Sequence, residues 1–103
     1  MVFKLRLTDF ALEDLDEIVA YYVREASTEI AARWLQGIES TTESLTDIPE
    51  RYGFAPENED TDFEVRQAHY KSHRVLFTVE GDTVAVLRIY HGARDSLKPD
   101  QIT

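Results

Sequence analysis

The chain has 103 residues, 43% of them apolar and 11% aromatic, which suffices for one packed domain over residues 1–103 and leaves little for a second. It contains no cysteine, which excludes disulfides, iron–sulfur clusters, thiolate zinc sites and a cysteine nucleophile. Twenty carboxylates against eleven lysines and arginines give a net charge of −9, which argues against a protein that holds nucleic acid mainly by neutralising phosphates.

The average conceals an asymmetry. Residues 1–64 carry 16 acids and 5 bases, whereas residues 65–103 carry 4 acids, 6 bases and all three histidines, His69, His73 and His91. The C-terminal third is therefore where recognition of an anionic partner is expected. The longest apolar run, Ile18 to Val23, is far short of the roughly 20 residues of a membrane span, and Met1 to Arg6 lacks the apolar core of a signal peptide. A small soluble cytoplasmic domain without membrane contact is the expectation.

In chain order, Phe3, Leu5 and Leu7 alternate with Lys4 and Arg6, a short strand. Thr8 and Asp9 offer capping oxygens to a helix whose apolar stripe is Ala11, Leu15, Ile18 and Tyr22, widened by Leu12, Val19 and Val23. Ser27 and Thr28 break this helix and cap a second one, marked by Ala31, Trp34, Leu35, Ile38, Thr42 and Leu45 and ended by Ile48 and Pro49. So short a link requires an antiparallel hairpin. Trp34, Tyr21 and Tyr22 are read as core or hairpin contacts. Pro49 to Asp62 has no period and reads as a loop; Phe63 to Gln67, Arg74 to Val79 and Thr83 to Tyr90 then read as strands.

Gly81 and Asp82 form a two-residue turn that needs positive φ at its first position, and this turn sets a register. It places Val79/Val84, Phe77/Val86 and Val75/Arg88 on one face and Thr78/Ala85, Leu76/Leu87 and Arg74/Ile89 on the other. The first face packs on the helices, with Arg88 paired to a helix carboxylate at the edge of the core. The second leaves Arg74 among Leu76, Leu87 and Ile89, an open docking surface unless the C-terminal tail folds over it. The fold class is α+β, in the order β-α-α-β-β-β, with the helical hairpin on one face of a small, mostly antiparallel sheet.

Taken together, Lys71 to Phe77, Glu80-Gly81-Asp82 and the run Val86 to Asp95, ending His91-Gly92-Ala93-Arg94-Asp95, resemble the RelE/ParE superfamily of type II toxins, also called plasmid stabilisation system proteins. The N-terminal pattern Ala11-x-x-Asp14-Leu15-x-x-Ile18-x-x-Tyr21-Tyr22 agrees, and the C-terminal segment looks like the ParE branch. The resemblance implies a toxin neutralised by a cognate antitoxin that binds DNA through its own N-terminal domain, so that the toxin meets DNA only indirectly. ParE-like members inhibit DNA gyrase by binding, with no known hydrolytic site; RelE-like members cleave mRNA on the ribosome.

Cleavage of RNA by 2′-OH attack needs a base, cations for the phosphate and an acid for the leaving oxygen. Arg74 and Arg94 match family arginines and His91 offers a titratable group, so these three are the candidate target-binding residues and, in a ribonuclease, the candidate catalytic ones. No tyrosine follows Arg94, and the second strand offers only Arg66 and Lys71. Those departures favour the gyrase-binding inhibitor over the endoribonuclease; a relative that has lost toxicity and only binds antitoxin is the third possibility. An acidic-and-aliphatic antitoxin segment is expected on Leu76, Leu87, Ile89 and Arg74, or in the groove along the hairpin. No metal and no cofactor is implied.

Overall fold

The computed structural model describes residues 2–93 and 96–102. Strand β1 (Lys4–Leu7) leads into α1 (Asp9–Glu25) and α2 (Thr28–Ser44), followed by β2 (Arg66–Tyr70), β3 (His73–Glu80) and β4 (Thr83–His91). Short 3-10 turns at Pro49–Arg51, Pro56–Asp60 and Pro99–Gln101 punctuate the loop and tail. The sheet order is β1-β4-β3-β2, with β1 parallel to β4 and the other pairs antiparallel. The α+β class and the element order are those expected from the sequence.

Local chemistry explains the elements. Thr8 Oγ1 accepts from Ala11 N at 3.2 Å and Ser27 Oγ from Ile30 N at 3.1 Å, so each helix starts on a hydroxyl that satisfies an otherwise unbonded amide. The β3–β4 turn places Gly81 at φ 61°, a region that costs a glycine nothing. The segment expected as a strand at 63–67 starts only at Arg66. Val65 instead donates to Asn58 Oδ1 and accepts from Ala55 N, which ties 63–65 to the preceding loop.

The register from the turn holds from Glu80/Thr83 to Phe77/Val86 and then breaks. Leu76 faces Arg88, leaving Leu87 as the extra residue of a β-bulge. Beyond it the pairs are Val75/Ile89 and Arg74/Tyr90, which corrects the expected Val75/Arg88 and Arg74/Ile89. The correction has a physical cause: an unbroken ladder would put Arg88 under the helices and Ile89 outside, and the bulge exchanges them.

Two apolar layers result. On the helix side Ala11, Trp34, Ile38, Leu45, Phe77, Val86 and Ile89 form the main core. On the other side Leu76 and Leu87 lie beneath Ala55, Val65, Leu97 and Ile102. The expected open face is therefore covered, because the 55–65 loop and the C-terminal tail bring their own apolar side chains to it. Among the described residues no helix is long and apolar enough to cross a membrane.

Candidate functional site

Arg74 enters the second layer from β3 and is only 8% exposed. Its Nη1 and Nη2 donate to Glu57 Oε1 and Oε2 at 3.0 and 2.8 Å, and Nη1 also donates to Gln67 Oε1 at 3.0 Å. Glu57 is 1% exposed and accepts in addition from the backbone N–H of Leu97 at 2.9 Å. Burial pushes the Glu57 carboxyl upward, but the Arg74 hydrogen bonds, with the Leu97 N–H, outweigh it and hold the group below the usual carboxylate range. One carboxylate thus neutralises the arginine and anchors the tail.

Arg88 is engaged in the same way on the same face of the sheet, on the far side of the Tyr90 ring. Its Nε and Nη2 donate to Asp14 Oδ2 and Oδ1 at 2.7 and 2.8 Å, and Nη1 donates to the Gln101 carbonyl at 2.6 Å. Asp14 Oδ2 also accepts from Ile89 N, which serves a strand-edge amide beyond the end of β1. The paired carboxylate raises the Arg88 pKa. The expected helix carboxylate is therefore Asp14.

His91, at the exposed end of β4, accepts at Nδ1 from Ala93 N at 3.1 Å, which leaves Nε2 as the donor nitrogen of the neutral ring. Its ring lies 5.2 Å from that of His73, which is buried against Trp34. A cleft of about 790 Å³ opens here between α1 and the end of β4, lined among others by Glu17, Tyr21, Tyr22, Ser72 and His91. His91 looks into this cleft, whereas Arg74 points to the opposite face with Glu57. Arg94 lies outside the described residues.

The four expected antitoxin contacts are all inside the protein: Leu76, Leu87 and Arg74 in the tail-covered layer, and Ile89 in the main core. The expectation that they stand on an open surface is thus corrected. Tyr21 lies outside the core, exposed with its ring edge to Tyr22, while Trp34 is buried and Tyr22 half-buried, as expected. The open apolar side chains include Val2, Ile48 and Phe54 outside the helices, and on the hairpin Leu12 is 48% and Val23 46% exposed. Two structural residues escaped the sequence reading. Glu57 sits in an aperiodic acidic run, and nothing separates it from its neighbours Glu59, Asp60 and Asp62 until the fold does. Gly37 allows Tyr70 to lie against α2, where a Cβ would fall on the phenol oxygen.

The geometry defines a small α+β protein whose Arg74 and Arg88 are tied internally and whose helical hairpin carries exposed apolar side chains. Residues 5–96 match the ParE toxin of type II toxin–antitoxin systems, parDE, and the chain belongs to that family. Among solved structures it is similar to the chromosomal ParDE toxin–antitoxin system from P. aeruginosa, at 25% identity over 87% of this chain and 96% of that one, with a TM-score of 0.74. The RelBE2 toxin–antitoxin complex from Mycobacterium tuberculosis shares the fold at 23% identity, over 91% of this chain and 95% of that one, with a TM-score of 0.58. No curated protein gives a significant sequence match.

Proposed function

We infer that this chain is the toxin of a type II pair that acts by binding and inhibiting DNA gyrase, without cleaving RNA, and that a cognate antitoxin neutralises it. The observation that carries this reading is the bidentate Arg74–Glu57 pair. An arginine that stabilises phosphate charge must present free N–H groups to it. Here a substrate phosphate would have to displace a buried carboxylate and leave it unpaired, at a cost of about 3–5 kcal/mol. His91 lies on the other face, so His91 and Arg74 do not converge.

On this reading the antitoxin binds the hairpin. Binding at Leu76 and Leu87 would require lifting Leu97 and Ile102 off the sheet, whereas Leu12 and Val23 are accessible as they stand. Purified toxin at micromolar concentration is expected to inhibit supercoiling by gyrase and to generate no new 5′ ends in translated mRNA on primer extension. Undisturbed supercoiling together with codon-phased cleavage would reverse the assignment. Leu12→Gln with Val23→Gln is expected to abolish co-purification with the protein encoded by the adjacent reading frame.

A further inference from the structure

The hairpin groove has a definite composition. Asp14 turns one flank of α1 toward Arg88, so Leu12, Val19 and Val23, at spacings of seven and four on the other flank, form a stripe of about 16 Å facing α2. On α2, Gly37 and Ser44 meet Tyr70 and Tyr52, so Leu35 and Glu39, on the opposite flank, face α1. Val19 and Leu35 are half-buried against the core and form the floor, while Leu12 and Val23 stand exposed above it. Asp16 shares the α1 flank, and Glu39 and Glu43 border the same outer surface of α2.

The charge of this rim is one-sided. The two helices contain nine carboxylates and only two bases, Arg24 and Arg33, both turned away from the groove by the helical period. Asp14 is neutralised by Arg88 and Glu25 by Arg24. Among the described residues Asp16, Glu39 and Glu43 take part in no ion pair. An apolar floor with an uncompensated anionic rim fits a partner of complementary pattern: an apolar seam at i, i+4, i+7 and i+11 flanked by cations.

We propose that the hairpin groove takes an amphipathic helix of the antitoxin whose apolar seam is flanked by lysine and arginine. This rests on the reading of the hairpin as the antitoxin face and adds the sign of the partner's charge, which reverses the acidic-and-aliphatic segment expected from the sequence. Wrong partners are rejected by the same rim, since a helix flanked by glutamate brings like charges together around a desolvated seam.

The test uses two synthetic peptides of about four helical turns with the same leucine seam, one flanked by Lys and Arg and one by Glu, titrated calorimetrically into the folded protein. At about 50 mM salt the cationic peptide is expected to bind at least about tenfold more tightly, with the difference shrinking at about 500 mM as the rim is screened. Leu12→Gln with Val23→Gln, which leaves the net charge unchanged, is expected to weaken the cationic peptide about tenfold, and Asp16→Asn, Glu39→Gln and Glu43→Gln together are expected to erase the preference. Equal affinity for the two peptides, preference for the acidic one, binding of neither, or cationic binding indifferent to Leu12→Gln with Val23→Gln would overturn the proposal. Co-purification with the adjacent reading frame's product separates the two readings. If the double variant leaves that complex intact, the hairpin is not the antitoxin face; if it breaks the complex while the peptides show no charge preference, only the inference about charge falls.

Discussion

Arg74 was expected at a target surface and is instead the centre of a buried polar cluster, so its energetic role reverses. A buried ion pair contributes little net stability compared with a packed apolar pair, but either partner alone is costly. Arg74→Met alone, which strands Glu57, is therefore expected to destabilise the protein by about 3–5 kcal/mol in urea melts, while Arg74→Met with Glu57→Met costs far less. Equal losses in the single and double variants would show that the pair itself stabilises. The pH dependence follows from the direction of the Glu57 shift. A carboxyl held below its ordinary range binds fewer protons in the folded than in the unfolded chain. Its stabilisation is fully present above the ordinary carboxylate pKa and is lost as pH falls through the depressed one. Glu57→Gln is accordingly expected to lower stability at neutral pH and to flatten the acid limb of a stability–pH curve.

At the scale of elements, most of the fold could be read from the sequence because local signals agreed. Thr8 and Ser27 mark both helix starts, the apolar period changes from near four to two, and Gly81 fixes the hairpin turn. The reading failed where tertiary packing overrode alternation. The bulge at Leu87 carries no local mark, and a strict period of two sends Ile89 to the wrong face. The site failed for a related reason, since Glu57 reaches Arg74 across 17 residues of chain through a loop with no period. Arg88 was the opposite case, because a cation beside an apolar ladder implies a nearby carboxylate and α1 is rich in them. Two element-scale predictions follow from the packing. Gly37→Ala forces Tyr70 off α2 and is expected to cost about 1–3 kcal/mol in a thermal melt, with Tyr70→Phe recovering part by removing the overlapping hydroxyl. Leu97→Ala or Ile102→Ala leaves a cavity over Leu76 and Leu87, and each is expected to cost about 2–5 kcal/mol with a gain in binding of a hydrophobic dye. Unchanged stability in both would mean that the tail does not hold the second layer closed.

Over the whole molecule, the arginines of the basic C-terminal third that are among the described residues are engaged within the fold. Arg74 and Arg88 are paired, and Arg66 donates to the Tyr52 and Glu50 carbonyls while lying over the Phe54 ring. The excess negative charge is thus left mostly on the outside, on the helices and on the acidic loop that follows them. The molecule measures 38 × 31 × 21 Å, and at about 10 mM salt the screening length is about 30 Å, so nearly every carboxylate repels every other. At about 300 mM that length falls well below the molecular dimensions and only immediate neighbours interact. The exposed pairs Lys4–Asp82, Arg6–Glu80 and Arg24–Glu25 weaken over the same range, but each is worth at most about 1 kcal/mol. The buried Arg74–Glu57 pair and the largely buried Arg88–Asp14 pair are screened far less. Relief of self-repulsion therefore outweighs the loss of surface pairs, and Tm at pH 7 is expected to rise as NaCl increases from about 10 to about 300 mM. The triple variant Asp16→Asn, Glu39→Gln, Glu43→Gln isolates the source: it is expected to raise Tm at low salt and to reduce the salt response. A Tm that falls with added NaCl would mean that the few surface pairs outweigh the repulsion among the hairpin carboxylates, and that the acidic rim is already compensated within the folded chain.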